Sequence, residues 1–462
     1  MEEDKPKKKR MKKSAAEGDG GEKEHKPNWR EMWATYEEIK DFLRGHVYLR
    51  YNTIKYRVEA RLPSEDPFCC NTDLAKFVKD EWQPMTDQLE NTLLMAVSSI
   101  KQTQRRALQT VLGSGFVPDF HPFLYYLNRL PPWDGQDYIM ELSVSVTISG
   151  GVEKQMLFYE MLKKWLVAMV ASWVDDEVVN HLVLVLIGRQ GSFKTTWFSL
   201  LLPPELRNYF RIKVNASQIQ KDDLITLSQY GLVCYEELDV MKKTEQNTMK
   251  SVVTMPAIDE RRAYGHYTEH MPHVASFCGT GNNHQFLNDP TGSRRWMPFE
   301  VESIRDPRKH PFNHAGIFAQ AYALYHQGFR YWLEDEEEDA QKVHNEDFET
   351  PDPVKEAIEE HFRVPFPGEV GEYLSATQIL KKISDHPVLR FSAEMIGAAM
   401  TKAGFEYKRT SRKRGYRVVA YQPDEIERNK RDLAYAAKKE EESESNSSDR
   451  NTDSDDSCDT IF

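Results

Sequence analysis

The sequence predicts an α/β fold with a parallel sheet at its centre, and three observations predict it. His181–Ile187, Gly231–Tyr235 and Val274–Cys278 are nearly unbroken apolar runs, each closing on polar residues. Such runs are the pattern of strands buried on both faces. The first passes into Gly188-Arg189-Gln190-Gly191-Ser192-Phe193-Lys194-Thr195, then into an apolar helix start at Trp197–Leu202. A strongly helical pattern, Gln155–Trp173, precedes it. Strand, loop and helix in alternation describe a P-loop NTPase core.

The loop has the G-x-x-x-x-G-K-[ST] spacing, with Gly188, Lys194 and Thr195 in register and Phe193 where a glycine is usual. Backbone N–H groups of such a loop and of the following helix terminus cradle phosphate oxygens. Gly188, Arg189, Gln190, Gly191, Ser192, Phe193, Lys194, Thr195 and Thr196 are therefore the candidate nucleotide-binding residues. Lys194 would reach the β and γ phosphates of ATP, and the Thr195 hydroxyl would ligate Mg²⁺.

The second strand ends in Glu236-Glu237, with Asp239 close behind. One carboxylate at such a strand end orients the metal and its neighbour activates the attacking water. Glu236 is assigned to the metal and Glu237 to the base, although alternation along a strand leaves the reverse open. The third strand closes on Gly279-Thr280-Gly281-Asn282. Asn282, with Thr280 in reserve, is the amide that would hold the water or sense the γ-phosphate. Gly292-Ser293-Arg294-Arg295-Trp296 follows, and paired arginines suit the charge on a transferring phosphate, supplied by a neighbouring subunit.

With these motifs in place the chain resembles the virulence-associated protein E family, phage and mobile-element ATPases related to superfamily 3 helicases within the AAA+ group. The resemblance rests on LIGRQGSFKTTW, YEELD and PAIDERRAYG…GTGNNHQFLNDPTGSRRWMPFEV, and on an upstream Tyr126-Leu127…Trp133-Asp134-Gly135 segment, so that it spans residues 120–335. It implies nucleotide roles for Lys194, Thr195, Glu237, Asn282 and the Arg294/Arg295 pair. It implies a homo-oligomeric ring with ATP between subunits. It also implies a hairpin between the second and third strands that meets DNA, single-stranded or forked, where Asp259, Arg261, Arg262, Tyr264, His266 and His270 lie. Members often carry a primase-like domain; the residues ahead of the Trp-Asp-Gly segment are too few for one, and a separate primase is a candidate partner. A bacterial or phage-encoded, cytoplasmic protein is expected.

Length and composition set the remaining bounds. The chain has 462 residues, 40% of them hydrophobic, and a formal net charge of −12. Much of that charge is local: residues 423–462 hold 13 acids and 6 bases, and Glu334–Asp339 is a further acidic block. The body is near neutral with basic patches, which matter more for nucleic acid than the total. Five cysteines show neither metal nor disulfide spacing and suit a reducing compartment. No apolar run is long enough for a membrane span.

The expected organisation is a charged disordered arm at 1–27 containing KPKKKRMKK, a mainly helical region at 28–150 with a short hairpin at Tyr48–Arg61, and a P-loop ATPase domain at 151–345. A small domain at 366–422 and an acidic disordered tail at 423–462 complete it. The basic arm would lie on DNA. Thr86–Gln109 reads as one helix, and Ile317–Trp332 as a helix apolar on one face. Within 366–422, helices at Ser375–Ile383 and Ser392–Ala403 precede strands at Phe405–Thr410 and Gly415–Tyr421, the winged-helix plan. Its turn gathers Lys408, Arg409, Arg412, Lys413, Arg414 and Arg417, which suit phosphate contacts; a protein-binding winged helix is the alternative. For the whole chain a DNA-dependent ATPase motor is expected, against an ATP-controlled DNA-binding switch without unwinding or a scaffold with a decayed site.

Overall fold

The computed structural model describes residues 32–213, 221–261, 267–287, 294–350, 352–383, 392–409, 414–429 and 431. The arm at 1–27, Arg262, Tyr264, His266, Arg412, Lys413 and the tail from 432 onward lie outside the described residues. The chain divides into two compact units, Met1–Asn282 with Arg294–Asp339, and Asn283–Ser293 with Ala340–Phe462.

The larger unit is mixed α/β. Its central sheet has six strands in the order Val146–Ile148, Trp296–Ile304, Val183–Ile187, Ser276–Gly281, Leu232–Tyr235, Phe210–Lys213. The last five are mutually parallel; Val146–Ile148 pairs antiparallel at the edge. Every residue of Val183–Ile187, Leu232–Tyr235 and Ser276–Gly281 is buried, as their apolar runs require. The third strand is Ser276–Gly281, running three residues beyond the expected end at Cys278. Small residues there kept the apolar signal from reaching the strand's true end.

The 24-residue helix Gly151–Val174 is apolar nearly all round and is the buried partner of the sheet. Its fully buried Trp165 donates from Nε1 to the Phe277 carbonyl at 3.0 Å. Trp197, at the start of the next helix, donates to Ser145 Oγ at 2.8 Å. Each indole thus buries a large apolar body with its one polar atom satisfied. The same core takes in Phe123, Leu127, Ile139, Leu142, Val146 and Ile148, all before residue 151. The Trp-Asp-Gly segment is a local staple: Trp133 Nε1 donates to the Gln136 carbonyl, while Asp134 accepts from the Gln136 N–H and the Tyr138 hydroxyl. The expected helix at Ile317–Trp332 is His314–His326, ended before Gly328 at φ 77°; Asp335–Glu346 is a separate helix.

Ahead of this core the helices outweigh the strands, but a four-stranded sheet accompanies them. It is built on the hairpin Tyr48–Asn52 and Arg57–Arg61 and flanked by Gln83–Pro84 and Asp119–Phe120. Thr86–Gln109 is two helices, Asp87–Ile100 and Arg105–Leu112, each with its own buried apolar stripe.

In the smaller unit the helices Ala376–Lys382 and Ala393–Lys402 start at Ser375 and Ser392, whose hydroxyls accept from the N–H groups of Gln378 and Met395. Tyr407–Arg409 and Arg414–Ala420 pair antiparallel as the expected hairpin. An upstream helix, Pro353–His361, and strands Phe362–Arg363 and Glu372–Leu374 share the same core. The helix had a legible signal, an Asp352 cap followed by proline at the first helical position.

Candidate functional site

Strand Val183–Ile187 delivers the loop to the carboxyl end of the sheet, where open α/β sheets hold ligands. Three backbone positions shape the loop. Gly188 lies so close to the neighbouring strand that a Cβ would sit 2.8 Å from the Val301 carbonyl oxygen. Gly191 has φ 82°. Phe193 caps the helix Lys194–Leu201 with φ 61° and ψ 13°. A left-handed residue other than glycine costs about 1–2 kcal/mol, and the Phe193 ring offsets this by packing against the main core. The unusual residue therefore keeps a glycine-like backbone.

Lys194, 6% exposed, folds back over the loop. Its Nζ donates to the carbonyls of Gly188 (2.7 Å) and Arg189 (2.6 Å), to Ser192 Oγ (3.4 Å) and to Asn282 Oδ1 (3.3 Å). Burial pulls its pKa below the ordinary lysine value, and the nearby Asp239 carboxylate opposes that shift.

On the far side, strand Leu232–Tyr235 stops one residue before the acids. The Glu236 N–H bonds to the Lys213 carbonyl at 3.1 Å, and Glu237 turns left-handed, φ 56° and ψ 46°, to cap the short helix Leu238–Val240. That turn breaks strand alternation, so both carboxylates border one cavity. The turn fits because Gly279 is bare: a Cβ there would lie 2.0 Å from Leu238 Cδ1. Asp239 Oδ2 accepts from the Asn282 N–H at 3.2 Å and fixes the strand end that carries that amide.

These parts enclose a cavity of about 400 Å³ lined by Gln190, Gly191, Ser192, Phe193, Lys194, Thr195, Thr196, Glu236, Glu237, Thr280, Gly281, Asn282 and Arg308. The structure thus brings together most of the loop residues, both acids, Asn282 and its reserve Thr280; Gly188 and Arg189 meet Lys194 from behind. Among the described residues no group of three or more His, Cys, Asp or Glu side chains could hold a metal alone. Thr195 and Glu236 offer the one or two oxygen ligands with which proteins commonly hold Mg²⁺ when a substrate's phosphates supply others.

Arg308 was not found by sequence reasoning. It follows strand Trp296–Ile304, on the opposite side of the loop strand from the acids. Its N–H bonds to Asp306 Oδ1 at 3.0 Å, and among the described residues its guanidinium has no partner. A lone arginine in a polar segment carries no periodic or spacing signal.

Arg294 and Arg295 are not at this cavity. They precede Trp296, which pairs with Val183 at the opposite end of the sheet. There they border a second cavity of about 200 Å³ with Asn180, His181, Tyr331, Trp332 and Glu338. Arg294 is held by Glu338 at 2.6 Å. Burial, then the charges of Arg295 and Arg294, lowers the His181 pKa.

The expected hairpin between the second and third strands is present: Ala257–Glu260 pairs antiparallel with Glu269–Pro272. Arg261 is exposed where it leaves the first strand, and His270 Nδ1 meets Asp259 Oδ1 at 2.8 Å. In the smaller unit Lys408, Arg409 and Arg414 are exposed on the paired strands. Arg417 is half-buried, donating to the Glu369 carbonyl and lying 3.8 Å from Glu406.

Residues 127–350 match the model of the virulence-associated protein E-like domain. No curated protein matches the chain in sequence. Among solved structures the chain is similar to apo structures of the NrS-1 C terminal region. One is 11% identical with a TM-score of 0.44, covering 83% of this chain and 98% of that one. Another is 12% identical with a TM-score of 0.40, covering 70% and 78%. No helix among the described residues is long and apolar enough to cross a membrane.

Proposed function

We propose that this chain, which carries the virulence-associated protein E-like domain over residues 127–350, is a DNA-dependent ATPase and a replication motor of a phage or mobile element. The observation that carries this reading is the convergence of Lys194, Thr195, Glu236, Glu237 and Asn282 on one cavity at the carboxyl end of a parallel sheet.

On this reading the loop amides and the terminus of helix Lys194–Leu201 receive the phosphates of ATP. Lys194 exchanges the Gly188 and Arg189 carbonyls for phosphate oxygens. Thr195 and Glu236 would hold Mg²⁺, which would supply positive charge against the phosphates. Asn282 orients a water against the γ-phosphorus. Glu237 takes its proton as the water oxygen bonds to phosphorus and the bond to the β-phosphate oxygen breaks, releasing ADP. Arg308, across the loop from the acids, holds the leaving end of the nucleotide. Arg294 or Arg295 completes the site of an adjacent subunit, since within one chain the pair sits at the other end of the sheet. The 257–272 hairpin, and a winged helix carrying Lys408, Arg409 and Arg414, meet DNA.

The test is steady-state ATP hydrolysis with and without single-stranded DNA, for the wild type and Lys194→Ala. DNA-stimulated turnover abolished by the substitution is expected; turnover that survives Lys194→Ala sinks the assignment. A strand-separation assay then distinguishes a motor from a DNA-binding switch.

A further inference from the structure

The turn of the N-terminal hairpin holds a group of cations that the reading above does not use. Asn52, fully buried, fixes the turn: its Oδ1 accepts from the N–H groups of Ile54 (3.1 Å) and Lys55 (2.8 Å). Its Nδ2 donates to Glu59 Oε1 and to the Tyr209 hydroxyl, both at 2.7 Å. This network pins Lys55 beside the edge strand Phe210–Lys213 of the central sheet. Lys55 Nζ lies 3.3 Å from the centre of the Tyr230 ring and 5.1 Å from that of Tyr209. Arg211 stands 5.4 Å from the same Tyr230 ring and donates to Thr226 Oγ1 at 3.1 Å. Arg57, at the start of the second hairpin strand, is exposed.

None of the three cations has a carboxylate partner among the described residues. The nearby Glu59 carboxylate is already taken by Arg50 at 2.6 Å and by Asn52. Burial, then the charges of Arg57 and Arg211, pulls the Lys55 pKa down to about 7. Like charges held together by a rigid, buried network raise the free energy of the empty patch. An anion placed among them removes the repulsion and restores the lysine charge. Arg211 and Lys213 also share a face of the edge strand, which extends the positive charge along it. A hairpin turn beside a sheet edge, with tyrosine rings among the cations, suits an extended, phosphate-bearing strand.

We propose that Lys55, Arg57 and Arg211 form a phosphate-binding patch that takes the backbone of a nucleic-acid strand, separate from the 257–272 hairpin and the wing. The choice of ligand rests on the DNA-binding part of the function proposed above; the patch itself does not. The experiment is oligothymidylate binding by the full chain across a salt series, for the wild type, Arg57→Glu, and Arg57→Glu with Arg211→Gln. Nucleotide binding at the Lys194 loop is the folding control. Arg57→Glu alone keeps the test valid if the double variant fails to fold. The double variant should bind about tenfold more weakly with a shallower salt dependence, since each single-strand phosphate neutralised contributes about 0.7 to the slope. Unchanged affinity and slope in Arg57→Glu would overturn the patch alone. A wild type that binds nucleotide but no oligonucleotide would overturn both the patch and the DNA part of the reading. Inorganic triphosphate, measured in the Lys194→Ala background, separates the two sources of phosphate. Loss of triphosphate but not of oligonucleotide binding in Arg57→Glu would overturn the nucleic-acid assignment.

Discussion

Phe193 and Glu237 are two of four non-glycine residues with positive φ among the described residues, and both line the larger cavity. Strained backbone gathers where geometry matters more than stability. For Glu237 the strain turns a second carboxylate into the cavity, and on the proposed reading Glu237→Gln keeps ATP binding while turnover falls about 10²-fold or more. Rapid-quench turnover beside binding calorimetry checks it; normal turnover removes Glu237 as the base. Arg308 stands across the loop from the reacting end, so Arg308→Ala should raise KM for ATP and Kd for ADP alike, with kcat nearly unchanged. A selective loss of kcat would place it at the transferring phosphate instead. The buried Lys194 adds a pH dependence. Because burial favours the neutral amine, the proton is lost at a pH below the ordinary lysine range. ATP affinity should therefore fall as pH rises through that lowered value, and an affinity still flat at about pH 10 would contradict it.

At the scale of elements, the fit between strand Ser276–Gly281 and the turn after Glu237 depends on Gly279. Gly279→Val would drive its side chain into Leu238, costing about 1–3 kcal/mol and displacing Glu237. Thermal melts and turnover should both suffer, and a fully active, equally stable variant would refute the close fit. Asp137 joins three helices: it accepts from the Tyr159 hydroxyl, from Gln320 Nε2 at 2.8 Å and from the Met140 N–H at 3.0 Å. Burial would raise its pKa, but these hydrogen bonds outweigh it and the net shift is downward. Its contribution is thus fully present above the ordinary aspartate pKa and lost as pH falls through the lower folded value. Asp137→Asn should lower Tm at neutral pH, with the difference shrinking in strong acid; a constant difference across that range would deny the link. The buried strands and the loop with Lys194 and Thr195 announced themselves because apolar runs and fixed spacing are local signals. The end of the third strand at Gly281, the break between the helices at 100 and 105, and the place of Arg308 were not legible. Each is decided by what packs across from it.

At the scale of the whole molecule, the arginine pair and the Lys194 loop lie at opposite ends of one five-residue strand, roughly 16 Å apart along it. If the pair acts on an adjacent subunit, two inactive variants can rescue each other. Arg294→Ala with Arg295→Ala, and Lys194→Ala, should each be nearly silent alone. Mixed, they should regain part of the turnover, because some junctions then carry an intact half from each chain. Mixtures as silent as their components would count against a site shared between subunits.

If the site is shared between subunits, the separation of the two ends of that strand has a kinetic corollary. A chain that owns half of each of two sites has no complete site while it is alone. Its specific activity is then a property of the solution and not of the chain, falling on dilution below the dissociation constant of the assembly and recovering on concentration. Loading by DNA, which gathers chains onto one strand, would raise turnover through proximity before any change within a subunit is needed.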